Sequence, residues 1–298
     1  MSMPMETITS VEDLKDSGFY WREIDGVRAL ICAPLEQDGF VNGFSTRLGG
    51  VSQMPHDALS LAGFNEDSAD NILENRRRFL KLFSGDWALA GCWQVHGADV
   101  RVVHELEEAR PAENQQGDTI YCDAIVSNTP GVLAGVKTAD CVPILLGDPK
   151  SGAFAAVHAG WRGTLATIVQ IAVCRLVSEF SVRTENLRVA IGAAAGPCCY
   201  EVGQEVIDSF SNKFAYGIEL FKETRPGHAL VDLLAANRTQ LISVGVLGDR
   251  IHSAPICTMC RTDLFFSYRQ EKGIHGKVGR LMSVIGTPGV RRPGGALS

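Results

Sequence analysis

The sequence predicts an α+β fold with a single domain, in which helices are layered around mixed β-sheets. Short apolar stretches alternate with amphipathic segments along most of the 298 residues, a pattern typical of mixed α/β or α+β domains. The chain has no long Pro/Ser-rich linker, low-complexity block or fixed-period repeat that would divide it. Its composition, 45% hydrophobic and 21% charged, is that of a globular protein with a sizeable core.

Periodicity and capping residues then assign the individual elements. Residues 67–83 are predicted to form a helix, because Asp67 or Ser68 can cap its start and apolar residues recur at helical spacing. Residues 164–180 form a second helix with one apolar stripe. The arginines at 76–78 favour a solvated helix face over an anion site. The remaining predicted elements are a strand at 187–191, helices at 202–214 and 232–244, and a strand around 250–256.

The two ends are predicted to lie outside the main domain. We expect an N-terminal extension at residues 1–25, the domain at 26–286, and a flexible tail at 287–298. The tail combines Pro, Gly and charged residues without a periodic apolar face.

Charge and cysteine content indicate which classes of binding partner and which cellular compartment the sequence favours. A formal net charge of -6 and a pI of about 5.7 give no attraction to phosphate backbones or anionic membranes, so nucleic acid and membrane are not expected partners. No apolar stretch approaches the roughly 20 residues that span a bilayer, and residues 1–14 do not resemble a signal peptide. Nine cysteines, an odd number in a chain of this size, favour a reduced, cytoplasmic setting.

Three short motifs place chemically active side chains at the ends of apolar strands. They are WQVHG at 93–97, TADC at 138–141 and HAGWRG at 158–163. A single histidine or cysteine in such a place is usually a packed core residue. Together, however, His96, Cys141 and an exposed His158 supply two imidazoles and one thiolate, which are preferred zinc ligands. If they converge, they form a three-ligand zinc site with an open fourth position; copper is also possible, because Cu(II) binds many N/S sites more tightly.

The remaining cysteine motifs favour packing. Cys257 and Cys260 form a CxxC, which we interpret as buried packing rather than a redox pair. Metal ligation is the weaker alternative, because no second CxxC completes a four-thiolate zinc ribbon. Cys198 and Cys199 are interpreted as small thiols packed in a tight turn.

The chain resembles the bacterial laccase-domain family, formerly called polyphenol oxidase and now described as purine nucleoside phosphorylase. The motifs that carry the resemblance are QVHG (94–97), TADC (138–141), HAGWRG (158–163), GPCCYEVG (196–203), FSTRLGGVS (44–52), ENRR (74–77), FFSYR (265–269) and GR (279–280). They occur in the same order and cover residues 42–286. Residues 57–62 and 191–195 depart from the family pattern, and Ser60 and Ala62 weaken any ligand role for the first of these loops.

The resemblance implies a zinc-dependent enzyme with His96, Cys141 and His158 as catalytic and metal-binding residues. It implies phosphorolysis of adenosine, inosine and methylthioadenosine, with purine nucleoside and phosphate as partners, and hydrolytic deamination of adenosine. It also implies a sandwich fold with distant likeness to a bacterial toxin deamidase. We expect a monomer or weak homo-oligomer.

Further residues are candidates for binding and proton transfer. Arg47, beside a Gly-Gly turn and Ser52, is the predicted phosphate cradle, with Arg162 as the runner-up. Tyr200 could stack on a purine. Asp140 could carry a proton, but an orienting role toward a ligand imidazole is favoured. Additional candidates, for which packing is an equal alternative, are Tyr268 and Arg269.

Three other functions remain open. In a Cys-His amide hydrolase, including one that edits cell-wall precursors, Cys141 would be the nucleophile and His158 its base. A copper-dependent phenol oxidase would need more metal centres than the sequence offers, and no Met for an axial ligand lies near these motifs. A non-enzymatic zinc-stabilised module would need a fourth ligand.

Overall fold

The computed structural model describes residues 11–54, 58–62, 67–109 and 120–289. The strands are β1 (Phe19–Ile24), β2 (Val27–Cys32), β3 (Val41–Ser45), β4 (Ala88–Ala90), β5 (Val100–Val103), β6 (Ala124–Ser127), β7 (Val132–Thr138), β8 (Val142–Gly147), β9 (Phe154–Ala159), β10 (Arg188–Ile191), β11 (Glu201–Gly203), β12 (Phe221–Arg225), β13 (His228–Val231), β14 (Ile251–Ser253) and β15 (Leu281–Gly286). The helices are α1 (Val11–Asp16), α2 (Ala33–Gln37), α3 (Ala69–Leu80), α4 (Trp161–Leu165), α5 (Ile168–Phe180), α6 (Gln204–Lys213), α7 (Leu233–Ser243) and α8 (Tyr268–His275).

Two six-stranded mixed sheets form the centre of the protein. Their strand orders are β1-β2-β3-β15-β7-β4 and β14-β10-β8-β9-β6-β5, and β11-β13-β12 form a third, smaller sheet. Strand β15 inserts antiparallel between β3 and β7, so the end of the described chain closes the first sheet. Buried side chains from both large sheets share one core cluster, including Phe44, Val136 and Ile285 from the first and Leu145 and Ala156 from the second. The sheets therefore pack face to face.

Helices cover the two outer faces of this sandwich. Phe79 of α3 packs with Leu82 and Phe83 on the first sheet. Helices α5 and α7 cover the second sheet, where Leu176 and Leu241 join the apolar side chains of β8 and β9. The order of layers is helix, sheet, sheet, helix. A mixed α/β fold with helices around mixed sheets is thus confirmed, while the likeness to a toxin deamidase stays a prediction.

Most predicted elements are present, with local differences. Helix α3 begins after Ser68, whose hydroxyl accepts a hydrogen bond from the Asn71 N–H at 3.3 Å, and α7 begins after its cap Asp232. The helix predicted at 164–180 is interrupted, because Thr167 adopts a left-handed conformation (φ 62°) and separates α4 from α5. The helix predicted from residue 202 begins at 204, since Val202 belongs to β11. The 76–78 run is not wholly a solvated face, because Arg76 is buried.

The described residues include parts of both predicted ends. Strand β1, inside the predicted extension, pairs along its whole length with β2, and the domain boundaries stay a prediction. Of the predicted tail, residues 290–298 lie outside the described residues, as do residues 1–10 of the extension. Among the described helices, none is both long and apolar enough to cross a membrane.

Candidate metal centre

Backbone pairing at one end of the second sheet places Cys141 and His158 side by side. Cys141 directly precedes β8, and His158 is the penultimate residue of β9, where it pairs with Pro143. Strand β9 is hydrogen-bonded on both sides, to β8 and to β6. The sequence predicts an exposed His158, but its side chain is buried and only 3% accessible. Cys141 is partly buried.

His96 reaches the same point from the loop that follows β4. Its side chain is exposed, and its backbone is in the left-handed region (φ 61°), which is uncommon for a residue other than glycine. The ligand atoms of His96, Cys141 and His158 all lie within 4.8 Å of one another. The two imidazole rings are 4.9 Å apart and nearly perpendicular (79°). The structure thus brings together the three residues predicted to bind metal.

Gly160 leaves the space that this convergence needs. A Cβ atom at this position would lie 2.9 Å from the Cys141 Sγ and 3.1 Å from the His96 Cδ2. The first distance is shorter than Cβ contacts adopt and the second is tighter than most, so a larger residue would shift at least one of the two ligands. The glycine of the HAGWRG motif is therefore explained by close approach of side chains rather than by a turn, since its φ of -70° is ordinary.

Asp123 orients the cluster, and sequence reasoning missed it. Its carboxylate is fully buried and contacts the His158 Nδ1 at 2.8 Å. It also accepts hydrogen bonds from the N–H groups of Val95 (3.2 Å), His96 (2.9 Å) and Gly97 (2.7 Å). One side chain therefore fixes both the imidazole of His158 and the His96 loop. The available signal was an acidic residue directly before the buried apolar strand β6, where a charge needs a partner.

Asp140 does not have the orienting role that the sequence favoured. Its carboxylate accepts hydrogen bonds from the Thr258 hydroxyl (2.7 Å), the Ser267 hydroxyl (2.9 Å) and the Arg269 N–H (2.8 Å). Asp140, next to Cys141, therefore holds the segments around Thr258 and Ser267 in place, whereas the imidazole of His158 is contacted by Asp123. Burial raises the pKa of Asp140 against the effect of these hydrogen bonds.

Electrostatics in the metal-free site favour a thiolate beside an imidazolium. Burial alone would raise the pKa of Cys141, but the charge of His158 and hydrogen bonds from both histidines outweigh it and lower that pKa to about 6. Burial would likewise lower the pKa of His158, yet the Cys141 charge and the Asp123 hydrogen bond raise it to about 9. Burial would raise the pKa of Asp123, but the hydrogen bond and charge of His158, together with the backbone hydrogen bonds from Gly97 and Val95, outweigh burial and lower that pKa. The thiol is thus in the state that binds metal or attacks a substrate.

The donor set fits a zinc ion. One thiolate and two imidazoles are ordinary zinc ligands, and three protein ligands leave a position for substrate. Asp123 occupies the Nδ1 atom of His158, so Nε2 is left for the metal, as in the carboxylate–histidine–metal arrangement. Within the described residues, the three side chains could therefore hold a metal ion.

Two arginines and a tyrosine lie around the centre. Arg162 is exposed on α4 and stacks on the Trp161 ring at 4.2 Å. The Arg269 guanidinium lies over the Tyr200 ring at 5.1 Å and donates to the Glu201 carbonyl at 2.8 Å. Burial raises the pKa of Tyr200, and the charges of Cys141, Arg162 and Arg269 also act on it. The charges of both guanidinium groups and of Cys141 therefore act on the same tyrosine.

Arg47 and Ser52 have other contacts. Arg47 is 8% accessible, forms a 2.9 Å ion pair with Glu271 and lies over the Phe266 ring at 4.5 Å. Ser52 is fully buried, donates to Asp67 at 2.5 Å and accepts from Asn75 at 2.8 Å. These contacts hold loops of the domain together and give no support to the predicted phosphate cradle, which stays a prediction. Tyr268 is exposed at the start of α8, within 5.8 Å of the Arg280 guanidinium.

Comparisons with known proteins agree with this fold. The family model described as "Multi-copper polyphenol oxidoreductase laccase" matches residues 41–288. The curated "Purine nucleoside phosphorylase YlmD" of Geobacillus stearothermophilus is 34% identical over 261 residues, which cover 86% of this chain and 93% of the relative. The "Adenosine deaminase RL5" of an unknown prokaryotic organism is 32% identical over 233 residues, 77% of this chain and 88% of the relative. The crystal structure of YlmD from G. stearothermophilus matches with a TM-score of 0.81 and 33% identity, over 90% of this chain and 98% of that one.

Proposed function

Because this chain belongs to the family described as multi-copper polyphenol oxidoreductase laccase, whose curated relatives include nucleoside phosphorylases, we propose that it is a zinc-dependent purine nucleoside phosphorylase. Its substrates would be adenosine, inosine or methylthioadenosine together with phosphate. The observation that carries the proposal is the convergence of His96, Cys141 and His158 within 4.8 Å. The cationic and aromatic side chains beside the cluster suit an anion and a purine.

Zinc is the proposed cofactor, and the three side chains would hold it. When bound, the ion would supply Lewis acidity that stabilises negative charge developing on a substrate. Asp123 would keep the imidazole of His158 in the tautomer that leaves Nε2 available.

Arg162 and Arg269 are the proposed phosphate ligands. Phosphate carries up to two negative charges near neutral pH, and guanidinium groups bind it through paired, charge-assisted hydrogen bonds. Arg269 is held by its backbone contact to Asp140 and by the Glu201 carbonyl. Arg162 is exposed and has room to move toward an anion. The predicted runner-up thus becomes the principal candidate, in place of Arg47.

The reaction then needs alignment more than a nucleophilic side chain. An oxygen of the phosphate forms a bond to C1′ of the ribose, while the C1′–N bond breaks and its electron pair goes to the purine. The purine gains a proton to leave as the neutral base, and ribose 1-phosphate is the second product. The protein would hold the phosphate against C1′ and stabilise the charge on the departing base. Tyr200 is placed to stack on the purine, and Asp140 remains a candidate proton carrier.

Adenosine deamination is the proposed second activity of the same centre. One curated relative is named an adenosine deaminase, and a zinc-dependent site with an open position suits hydrolysis at C6. The two activities differ in their requirement for phosphate, which makes them separable by experiment.

The test is incubation of purified, zinc-loaded protein with adenosine, with and without phosphate, followed by chromatographic separation of adenine and inosine. We expect adenine to form only with phosphate, and inosine to form in either case if deamination also occurs. Cys141→Ala should abolish both products, and Cys174→Ser, a change at an exposed cysteine of α5, should leave them unchanged. If neither product forms while zinc is bound, the proposal is wrong.

A Cys-His amide hydrolase is the second candidate, favoured by one observation. The Cys141 pKa of about 6 beside a His158 pKa of about 9 describes an activated nucleophile and its base. The two functions make opposite demands on the thiol. The rate at which iodoacetamide alkylates Cys141 separates them. A zinc ligand is protected from alkylation until a chelator removes the metal, whereas an activated nucleophile is alkylated fastest in the metal-free resting enzyme.

A further inference from the structure

A second group of cysteines lies beside the candidate metal centre and shares no residue with it. We call it the thiol cluster; its members are Cys198, Cys199, Cys257 and Cys260. The first two lie on the turn that precedes β11, and the last two form the CxxC between β14 and α8. The sequence favoured packing for all four, since no second CxxC accompanies Cys257 and Cys260, and Cys198 and Cys199 lie in a predicted tight turn. The fold supplies the missing pair by bringing the two segments together.

Backbone contacts join the two turns. Ala194 forms a parallel bridge with Cys257, and the Thr258 N–H donates to the Ala194 carbonyl at 3.0 Å. The Gly196 N–H donates to the Cys257 Sγ at 3.3 Å. Donation from an amide to sulfur stabilises a thiolate, the form that binds metal. The approach of the two turns is therefore built into the sheet rather than into flexible side chains.

The sulfur positions suit a tetrahedral ion. The Cys260 Sγ lies 3.2 Å from the Cys199 Sγ and 3.6 Å from the Cys198 Sγ, and all four sulfurs are within 4.8 Å of one another. Thiolates bound to one zinc at about 2.3 Å lie about 3.8 Å from each other. The four sulfurs thus already have nearly the spacing that a four-thiolate zinc site requires.

Packing alone does not explain this arrangement. Cys198 and Cys260 are exposed, whereas cysteines that serve only as small apolar groups are among the most buried residues. Four cysteines that converge from two segments, two of them exposed, are better explained as ligands of one ion.

We propose that the thiol cluster binds a structural zinc ion, separate from the ion at the His96–Cys141–His158 centre. Four protein ligands close the coordination shell, so this ion would fix structure rather than take part in chemistry. It would pin two segments that serve the candidate site. Tyr200 follows Cys199 directly, and Thr258, inside the CxxC, donates to Asp140.

Zinc counting on the full-length protein tests the proposal and does not depend on any nucleoside activity. The protein would be purified under reducing, oxygen-free conditions, loaded with excess zinc, desalted and analysed for metal and protein. We expect two zinc ions per chain in the unaltered protein and in Cys174→Ser. One ion should remain in Cys141→Ala and one in Cys260→Ser, and none should remain in the double variant Cys141→Ala/Cys260→Ser.

Cobalt spectroscopy of Cys141→Ala supplies a readout that needs no change in the thiol cluster. Cobalt(II) bound to four thiolates gives intense thiolate-to-metal charge-transfer absorption, which we expect in Cys141→Ala and which zinc should displace. Absence of both zinc and this absorption in folded Cys141→Ala would overturn the proposal. The proposal would also be overturned by a thiol titration of the unaltered protein, under the same conditions, that finds two thiols fewer than the nine cysteines of the sequence and no bound metal. That result would indicate a disulfide.

Discussion

Replacement of Asp123 by asparagine tests whether one buried carboxylate organises the candidate metal centre. The substitution keeps the shape but removes the charge that faces the His158 Nδ1 at 2.8 Å. It also replaces one acceptor oxygen by an NH₂ group, although three backbone N–H groups donate to this carboxylate. At least one buried donor would lose its acceptor, and the amide could not stabilise a positive charge on His158.

Two magnitudes follow from these contacts. Removing one partner of a buried charged pair costs about 3–5 kcal/mol of unfolding free energy, which urea denaturation of the metal-free protein would measure. Loss of a carboxylate behind a metal-bound histidine weakens metal affinity by about 10- to 100-fold, which is about 1.4–2.7 kcal/mol and is measurable by competition with a chromogenic chelator. Asp99→Asn, an exposed aspartate in the same segment, is the matched control and should change neither. Unchanged zinc affinity and stability in Asp123→Asn would refute the orienting role.

Three further predictions concern the same site. Gly160→Ala should lower zinc occupancy of the histidine–cysteine centre while the circular dichroism spectrum stays native, because the added Cβ would lie 2.9 Å from the Cys141 Sγ; full occupancy in the zinc assay would contradict the close-approach argument. In the metal-free protein, alkylation of Cys141 should accelerate as pH rises through about 6 and then level off, since the thiolate is the reactive form and the pKa is lowered to about 6. A midpoint near 8.5, the value of a free cysteine, would show that His158 does not stabilise the thiolate. Arg162→Ala should raise the KM for phosphate about 10- to 100-fold, because about 1.5–3 kcal/mol of charged hydrogen bonding is lost. The melting temperature should stay the same, since the side chain is exposed. An unchanged KM would show that Arg162 does not bind the phosphate.

The sequence was most informative where chemistry coincides with strand ends. The motifs around His96, Cys141 and His158 were visible because each places polar residues next to an apolar run. Layering of helices on sheets followed from alternating periodicities. These signals are local, and one segment of sequence contains each of them.

What the sequence could not supply was the pairing of distant segments. Asp123 carries no motif, and its role depends on four contacts to residues 26 to 35 positions away. The ion pair of Arg47 with Glu271, 224 positions along the chain, could not be read from the motif that made Arg47 a predicted phosphate ligand. The thiol cluster likewise joins turns that are about 60 residues apart in sequence. Each depends on sheet topology rather than on local composition.

Two of the candidate ligands, His158 and His96, lie in segments that should differ in mobility. His158 belongs to a strand that is bonded on both edges and buried on both faces, so its amide should exchange with solvent only on global unfolding. His96 belongs to an exposed loop in a left-handed backbone conformation, which local opening can release. Metal ions should therefore enter and leave by motion of the His96 loop, at a rate set by that loop and not by the stability of the domain.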